Sequence, residues 1–159
     1  MILVLTFIAL YAAHQFADHW VQTHDEALGK GAPGLTGRLY CLAHVSSLTA
    51  FKTGALTIAY AVTGIWPNLW AAALILALDA GTHYWADRAA YHAAKEGRKV
   101  TLELLADRMN KTAFWNLGKT GVDAEGKPAA SLGTGAYALD QSFHVAMLFL
   151  AAAILELLS

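Results

Sequence analysis

Charge is the scarcest property of this chain. Asp, Glu, Lys and Arg make up 14% of its 159 residues, where a soluble domain usually carries about a quarter. The few charges nearly cancel, to a formal net charge of -1. That removes the basic excess a nucleic-acid surface needs, so no nucleic-acid partner is expected. Cysteine is nearly absent: Cys41 stands alone, so no intrachain disulfide forms and the redox compartment is not readable. The first apolar stretch has no basic residues ahead of it, which argues against a cleaved signal peptide. No internal repeat is present, and no nucleophilic Ser or Cys motif stands out. What remains is hydrophobic, at 57% of the chain.

The apolar residues gather into four segments, roughly 2–22, 38–64, 68–90 and 136–158. Each approaches or exceeds the ~20 residues that cross ~30 Å of hydrocarbon. Lipid demands internally satisfied backbone, so helices are the expected form. The expected fold is all-α, one transmembrane domain over 1–159, an integral four-helix bundle running up-down-up-down. A buried soluble four-helix bundle is the competing reading, because charges interrupt the segments. Residues 64–68 form a tight turn, with Pro67 set to open the third helix. Residues 24–37 read as a glycine-rich loop, and 92–135 as a long charged one. Within the latter, Leu102, Leu105, Met109 and Phe114 line one side of a short amphipathic helix at the membrane surface. Residues 118–135 read as a flexible loop.

Of the eleven basic residues, all but Lys52 lie in or beside the two long loops. The positive-inside rule then puts those loops in the cytoplasm. The expected location is a bacterial inner (cytoplasmic) membrane, multi-pass, with both termini extracytoplasmic and membrane lipids as partners. A homo-oligomer stays open. Trp66 and Trp70 mark the outer interface; Trp20, Trp85 and Trp115 mark the inner one.

On this topology the polar residues agree in depth. His14 and Asp18 lie late in the first segment, and His44 early in the second. His83 and Asp87 lie late in the third, and Asp140, Gln141 and His144 early in the fourth. All therefore fall at the cytoplasmic end. The pairs His14/Asp18, His83/Asp87 and Asp140/His144 have spacing four, which puts both side chains on one helix face. Imidazole nitrogen with carboxylate oxygen suits a divalent metal: zinc first, with iron(II) or manganese as alternatives. The expected ligands are His14, Asp18, His44, His83, Asp87, Asp140 and His144. Seven exceed the needs of one tetrahedral ion, so two metals, or one metal with carboxylates orienting its imidazoles, both remain. A metal-free hydrogen-bond network is the bland alternative. Asp18, Asp87 or Asp140 is the general base if not a ligand. Gln22 and Gln141 read as orienting groups, and His19, His24 and His92 as interfacial. Cys41 reads as an apolar filler. Arg88 and Lys30 are set to neutralise a phosphate. Deeper in the bundle, Lys52 lies eight residues past His44 and Asp79 eight before Asp87, ~12 Å further in on each helix. An ion pair between them is expected, because a lone charge at that depth is costly.

The combined pattern His14-x3-Asp18-x3-Gln22-Thr23, His44, His83-x3-Asp87-Arg88 and Leu139-Asp140-Gln141-x2-His144 resembles a family of small bacterial and phage membrane proteins. They carry a domain of unknown function (the DUF3307 type). The resemblance spans nearly the whole chain, Lys30-Gly31 included, and looks like the actinobacterial or actinophage branch. Lys52 has no place in that pattern. A more distant similarity to membrane-bound metal-dependent hydrolases implies hydrolysis of a lipid or phosphoester by metal-activated water. The other functional readings are a non-catalytic metal or proton conduit or sensor, and a phage structural or lysis-related membrane protein.

Overall fold

The computed structural model describes residues 1–95, 101–116 and 135–159, and all regular structure among them is helical. Helix α1 (Ile2–Phe16) runs into a π-helical turn (Ala17–Val21). It is followed by α2 (His24–Gly29), α3 (Gly34–Thr63), α4 (Leu69–Lys95), α5 (Thr101–Arg108), α6 (Thr112–Trp115) and α7 (Gly135–Leu158).

Local chemistry sets the boundaries. Thr23 and Glu26 form a reciprocal capping box that starts α2 inside the stretch expected to be loop. Helix α3 starts at Gly34, about one turn earlier than the apolar pattern suggests. It stops at Gly64, whose φ of 69° favours a residue without Cβ. Asn68 caps α4, its side-chain oxygen accepting from the amides of Trp70 and Ala71 at 3.0 and 3.2 Å. Pro67 thus precedes the cap and does not open the helix itself. The expected amphipathic helix is divided between α5 and α6. Leu105, Met109 and Phe114 are exposed, while Ala106 and Trp115 are buried. Trp115 is therefore not an interfacial marker, in contrast to exposed Trp20, Trp66, Trp70 and Trp85. The stretch expected to be a flexible loop, up to residue 134, lies almost wholly outside the described residues, as do the side chains of Leu102 and His92.

Four long helices close a square. Helix α1 packs on α3 and α7, and α4 packs on the same two. One end is tied by the Leu3 amide donating to Glu156 at 2.5 Å and the Asn68 amide donating to Ser159 Oγ at 3.2 Å. The Gly64 turn lies at this same end, so the bundle runs up-down-up-down.

The bundle exposes many large apolar side chains and buries several polar ones. Its exterior carries Val4, Ile8, Phe51, Ile58, Val62, Leu74, Leu78, Phe149 and Leu150, while Thr6, His14, His44, Lys52, His83 and His144 are buried. A soluble protein rarely exposes so continuous an apolar surface. The threonines of α3 fit the same pattern. Thr49, Thr53, Thr57 and Thr63 each donate to the carbonyl four residues back at 2.8 Å, which satisfies their hydroxyls without water. Two helical stretches, Ile2–Val21 and Gly135–Leu158, are long and apolar enough to cross a membrane. Helices α3 and α4, at 30 and 27 residues, have the length but not that apolarity. The core nearest the Gly64 end is apolar, built from Leu10, Leu56, Ile75, Leu148 and Leu155.

Candidate metal centre

The end of the bundle opposite the Gly64 turn is where the polar seams meet. In α1 the seam does not continue as the spacing predicts. The Gln22 amide bonds to the carbonyl of Ala17, five residues back, at 3.0 Å, closing the wide π turn. Gln22 then leaves the helix with ψ of 123°. Such turns recur at functional sites, because one extra residue re-aims the side chains beside it. Asp18 lies within this turn.

Two imidazoles face each other at the centre, with His44 Nε2 3.1 Å from His83 Nε2. Asp18 Oδ1 is 3.3 Å from His44 Nε2. Asp87 Oδ2 is 3.6 Å from His83 Nε2 and 3.8 Å from His44 Nε2. His144 stacks on His83 at 4.1 Å between ring centres. Ligand atoms on a shared tetrahedral ion at about 2.0–2.2 Å stand roughly 3.3–3.6 Å apart. The observed separations straddle that range. Two groups have potential ligand atoms all within 4.8 Å of one another: Asp18, His44 and His83; and His83, Asp87 and His144. These groups could hold a metal ion.

No protein-family model, curated protein or solved structure matches this chain.

The outer oxygen of each central carboxylate is already engaged. Gln141 Nε2 donates to Asp18 Oδ2 at 3.0 Å, and Lys30 Nζ pairs with Asp87 Oδ1 at 3.1 Å. The inner oxygens, Asp18 Oδ1 and Asp87 Oδ2, are buried with no hydrogen bond. At most one proton fits between the facing His44 and His83 nitrogens, so it serves one of these acceptors and leaves the others without a donor. Acceptors crowded in that way call for a cation. The Nδ1 atoms of His44 and His83 also lack partners. Ring stacking, in place of the usual hydrogen bond to the second nitrogen, orients His83.

Two of the seven expected ligands lie outside both groups. His14 is fully buried, with neither ring nitrogen hydrogen-bonded, and its ring centre is 5.6 Å from that of His83 and 5.5 Å from that of His144. Asp140 Oδ1 is 3.7 Å from His144 Nε2, and its side chain is 37% exposed, at the mouth of the site. Lys52 and Asp79 form the expected deeper ion pair, at 2.6 Å. Cys41 is buried, its thiol near the Tyr84 carbonyl.

Arg88 departs from its expected phosphate role. It is buried, and its Nη1 donates to the carbonyls of Lys30 and Ala32 at 2.9 and 2.7 Å. Arg88 thereby pins the segment carrying Lys30 onto α4. Gly37 completes this joint, because a Cβ there would lie 1.9 Å from the Ala32 oxygen and 2.6 Å from Arg88 Nη1. Gly37→Ala should cost about 1–3 kcal/mol, as overpacked sites do, read as a lower thermal midpoint in detergent. An unchanged midpoint would show that the joint yields freely. Tyr137, which the sequence reading passed over, bonds His19 Nε2 through its hydroxyl, while His19 Nδ1 lies 2.8 Å from the Gln15 carbonyl. Its position one turn before Gln141 was the available signal.

Proposed function

We propose that this chain is a four-span integral membrane metalloprotein, acting as a metal-dependent hydrolase on a phosphoester or lipid headgroup at the cytoplasmic leaflet. The observation that carries the reading is the pair of donor-less carboxylate oxygens facing two imidazole nitrogens inside a bundle with an apolar exterior. The resemblance to the DUF3307-type membrane family, and more distantly to membrane-bound hydrolases, agrees with it. Access from one side only favours a reaction site over a conduit. Asp140 and Lys30 reach solvent at the mouth, while the Lys52–Asp79 pair and Leu10, Leu56, Ile75 and Leu148 close the way beyond.

A bound divalent ion would lower the pKa of a water molecule and supply hydroxide near neutral pH. Asp18, His44 and His83, or His83, Asp87 and His144, would hold the ion. Asp140, outside the two ligand groups and open to solvent, accepts the proton of the attacking water at Oδ1. Lys30 holds Asp87 in place and presents positive charge to an anionic headgroup. Zinc is the first candidate, with iron(II) or manganese next.

The test is hydrolysis of a chromogenic phosphodiester, and of anionic phospholipid vesicles, by chelator-stripped protein refilled with each metal. Asp140→Asn should lower the rate about 10²–10⁴-fold with metal content unchanged. Full activity in Asp140→Asn, or none with any metal, would sink the hydrolase reading.

Orientation has its own test. Lys111 is exposed between α5 and α6, and the abundance of Lys and Arg at this end assigns it to the cytoplasm. Lys111→Cys in a Cys41→Ser background should resist an impermeant thiol reagent in intact cells and react after lysis. Prompt labelling of intact cells would reverse the orientation.

A further inference from the structure

We infer that the centre takes a single divalent ion per chain, and that Lys30 and Gln141 are the positioning residues that limit it to one. This rests on the metal reading above and specifies it further. The seven His and Asp side chains would otherwise suit two ions.

Three observations point to one. First, the two ligand groups share His83. The same nitrogen, Nε2, faces His44 on one side and Asp87 on the other. An imidazole nitrogen has one lone pair, so it serves one ion.

Second, a carboxylate that spans paired ions about 3.5–4 Å apart turns one oxygen to each of them. Neither central carboxylate turns both oxygens inward. Asp18 gives Oδ2 to Gln141 and Asp87 gives Oδ1 to Lys30, leaving each with one oxygen turned inward. Each ligand group thus offers one monodentate carboxylate, and once His83 is given to one ion the other group keeps only two donors.

Third, charge disfavours a second ion. Asp18, Asp87 and Asp140 against Lys30 and the buried Arg88 leave one negative charge, which one divalent ion already more than offsets. A second ion would enlarge that surplus beside an apolar core, where charge is poorly solvated. The deeper Lys52–Asp79 pair is neutral as a unit and does not alter this count.

Lys30 is held in place by construction. The capping box starts α2, and Arg88 grips the carbonyls of Lys30 and Ala32. Arg88 directly follows Asp87 in α4, so the residue that fixes the Lys30 backbone adjoins the carboxylate that Lys30 engages. Gln141 neighbours Asp140 on α7 and reaches across to Asp18 on the π turn.

The experiment uses the full chain in detergent, stripped and reloaded with Co(II), whose visible spectrum reports coordination number. Wild type should bind one Co(II) per chain. Lys30→Met and Gln141→Leu each release one carboxylate oxygen. Each should change the Co(II) spectrum toward higher coordination and shift the Co(II) Kd by about 10–100-fold, the usual effect of losing an outer partner. Two ions per wild-type chain would overturn the inference while leaving a metal site. Wild-type spectra in both variants would overturn the role of Lys30 and Gln141. No bound ion in wild type would instead overturn the metal reading itself. The wild-type ratio decides the ion count even if a variant fails to fold.

Discussion

His83→Ala should leave the purified protein without stoichiometric metal. His83 belongs to both ligand groups, faces His44 at 3.1 Å and stacks on His144. Its removal therefore takes a donor from every arrangement the site offers. His144→Ala, by comparison, leaves Asp18, His44 and His83 together and should retain part of the binding. The expected loss for His83→Ala is at least about 100-fold in affinity, the upper end of what outer-partner changes cost. Elemental analysis of detergent-purified protein, with helix content measured in parallel, separates ligand loss from unfolding. Binding should also fade in wild type at acid pH, because a protonated imidazole has no lone pair to give. His83→Ala protein that is folded and carries wild-type metal would remove the site from the account.

Lys52→Ala should be the most destabilising single change in the bundle core. Lys52 is fully buried and its ammonium lies 2.6 Å from Asp79 Oδ2, whose side chain is 6% exposed. Removing the lysine strands a buried carboxylate in the bundle core. Breaking one partner from a buried pair costs about 3–5 kcal/mol, most of it the uncompensated charge that remains. Lys52→Ala combined with Asp79→Ala should therefore recover much of that loss, despite deleting more atoms. Unfolding in mixed micelles measures both. A double variant less stable than the single one would mean that Asp79 is satisfied by other groups.

The register of that pair was legible in the sequence. Helical rise is uniform, so counting eight residues from His44 and from Asp87 was enough to match Lys52 with Asp79 in depth. The same uniformity made the common depth of the His and Asp residues readable, and with it the end of the bundle where they meet. Turn chemistry was nearly as direct. Gly64 and Asn68 act through their own backbone and side chain, so residues 64–68 had to break the chain between two helices. The capping box Thr23-x-x-Glu26 was equally local, and reading it would have revealed α2.

Side-chain pairing across helices was not legible. Arg88 and Lys30 are both basic residues near the site, and composition treats them alike. Only the packing of α3 against α4, with the segment before α3 laid across them, decided that Arg88 turns to backbone carbonyls while Lys30 turns to Asp87. The π turn was equally hidden, because regular spacing assumes 3.6 residues per turn, and one closing bond from Gln22 to Ala17 overrides it. Sequence by itself determined the four long helices, their order and the end of the bundle where the polar residues meet, since these follow from local periodicity and a constant rise. The tertiary structure alone decided which oxygen of each carboxylate faces inward and which histidines share a centre, since these depend on helix rotation and on contacts between residues far apart in the chain.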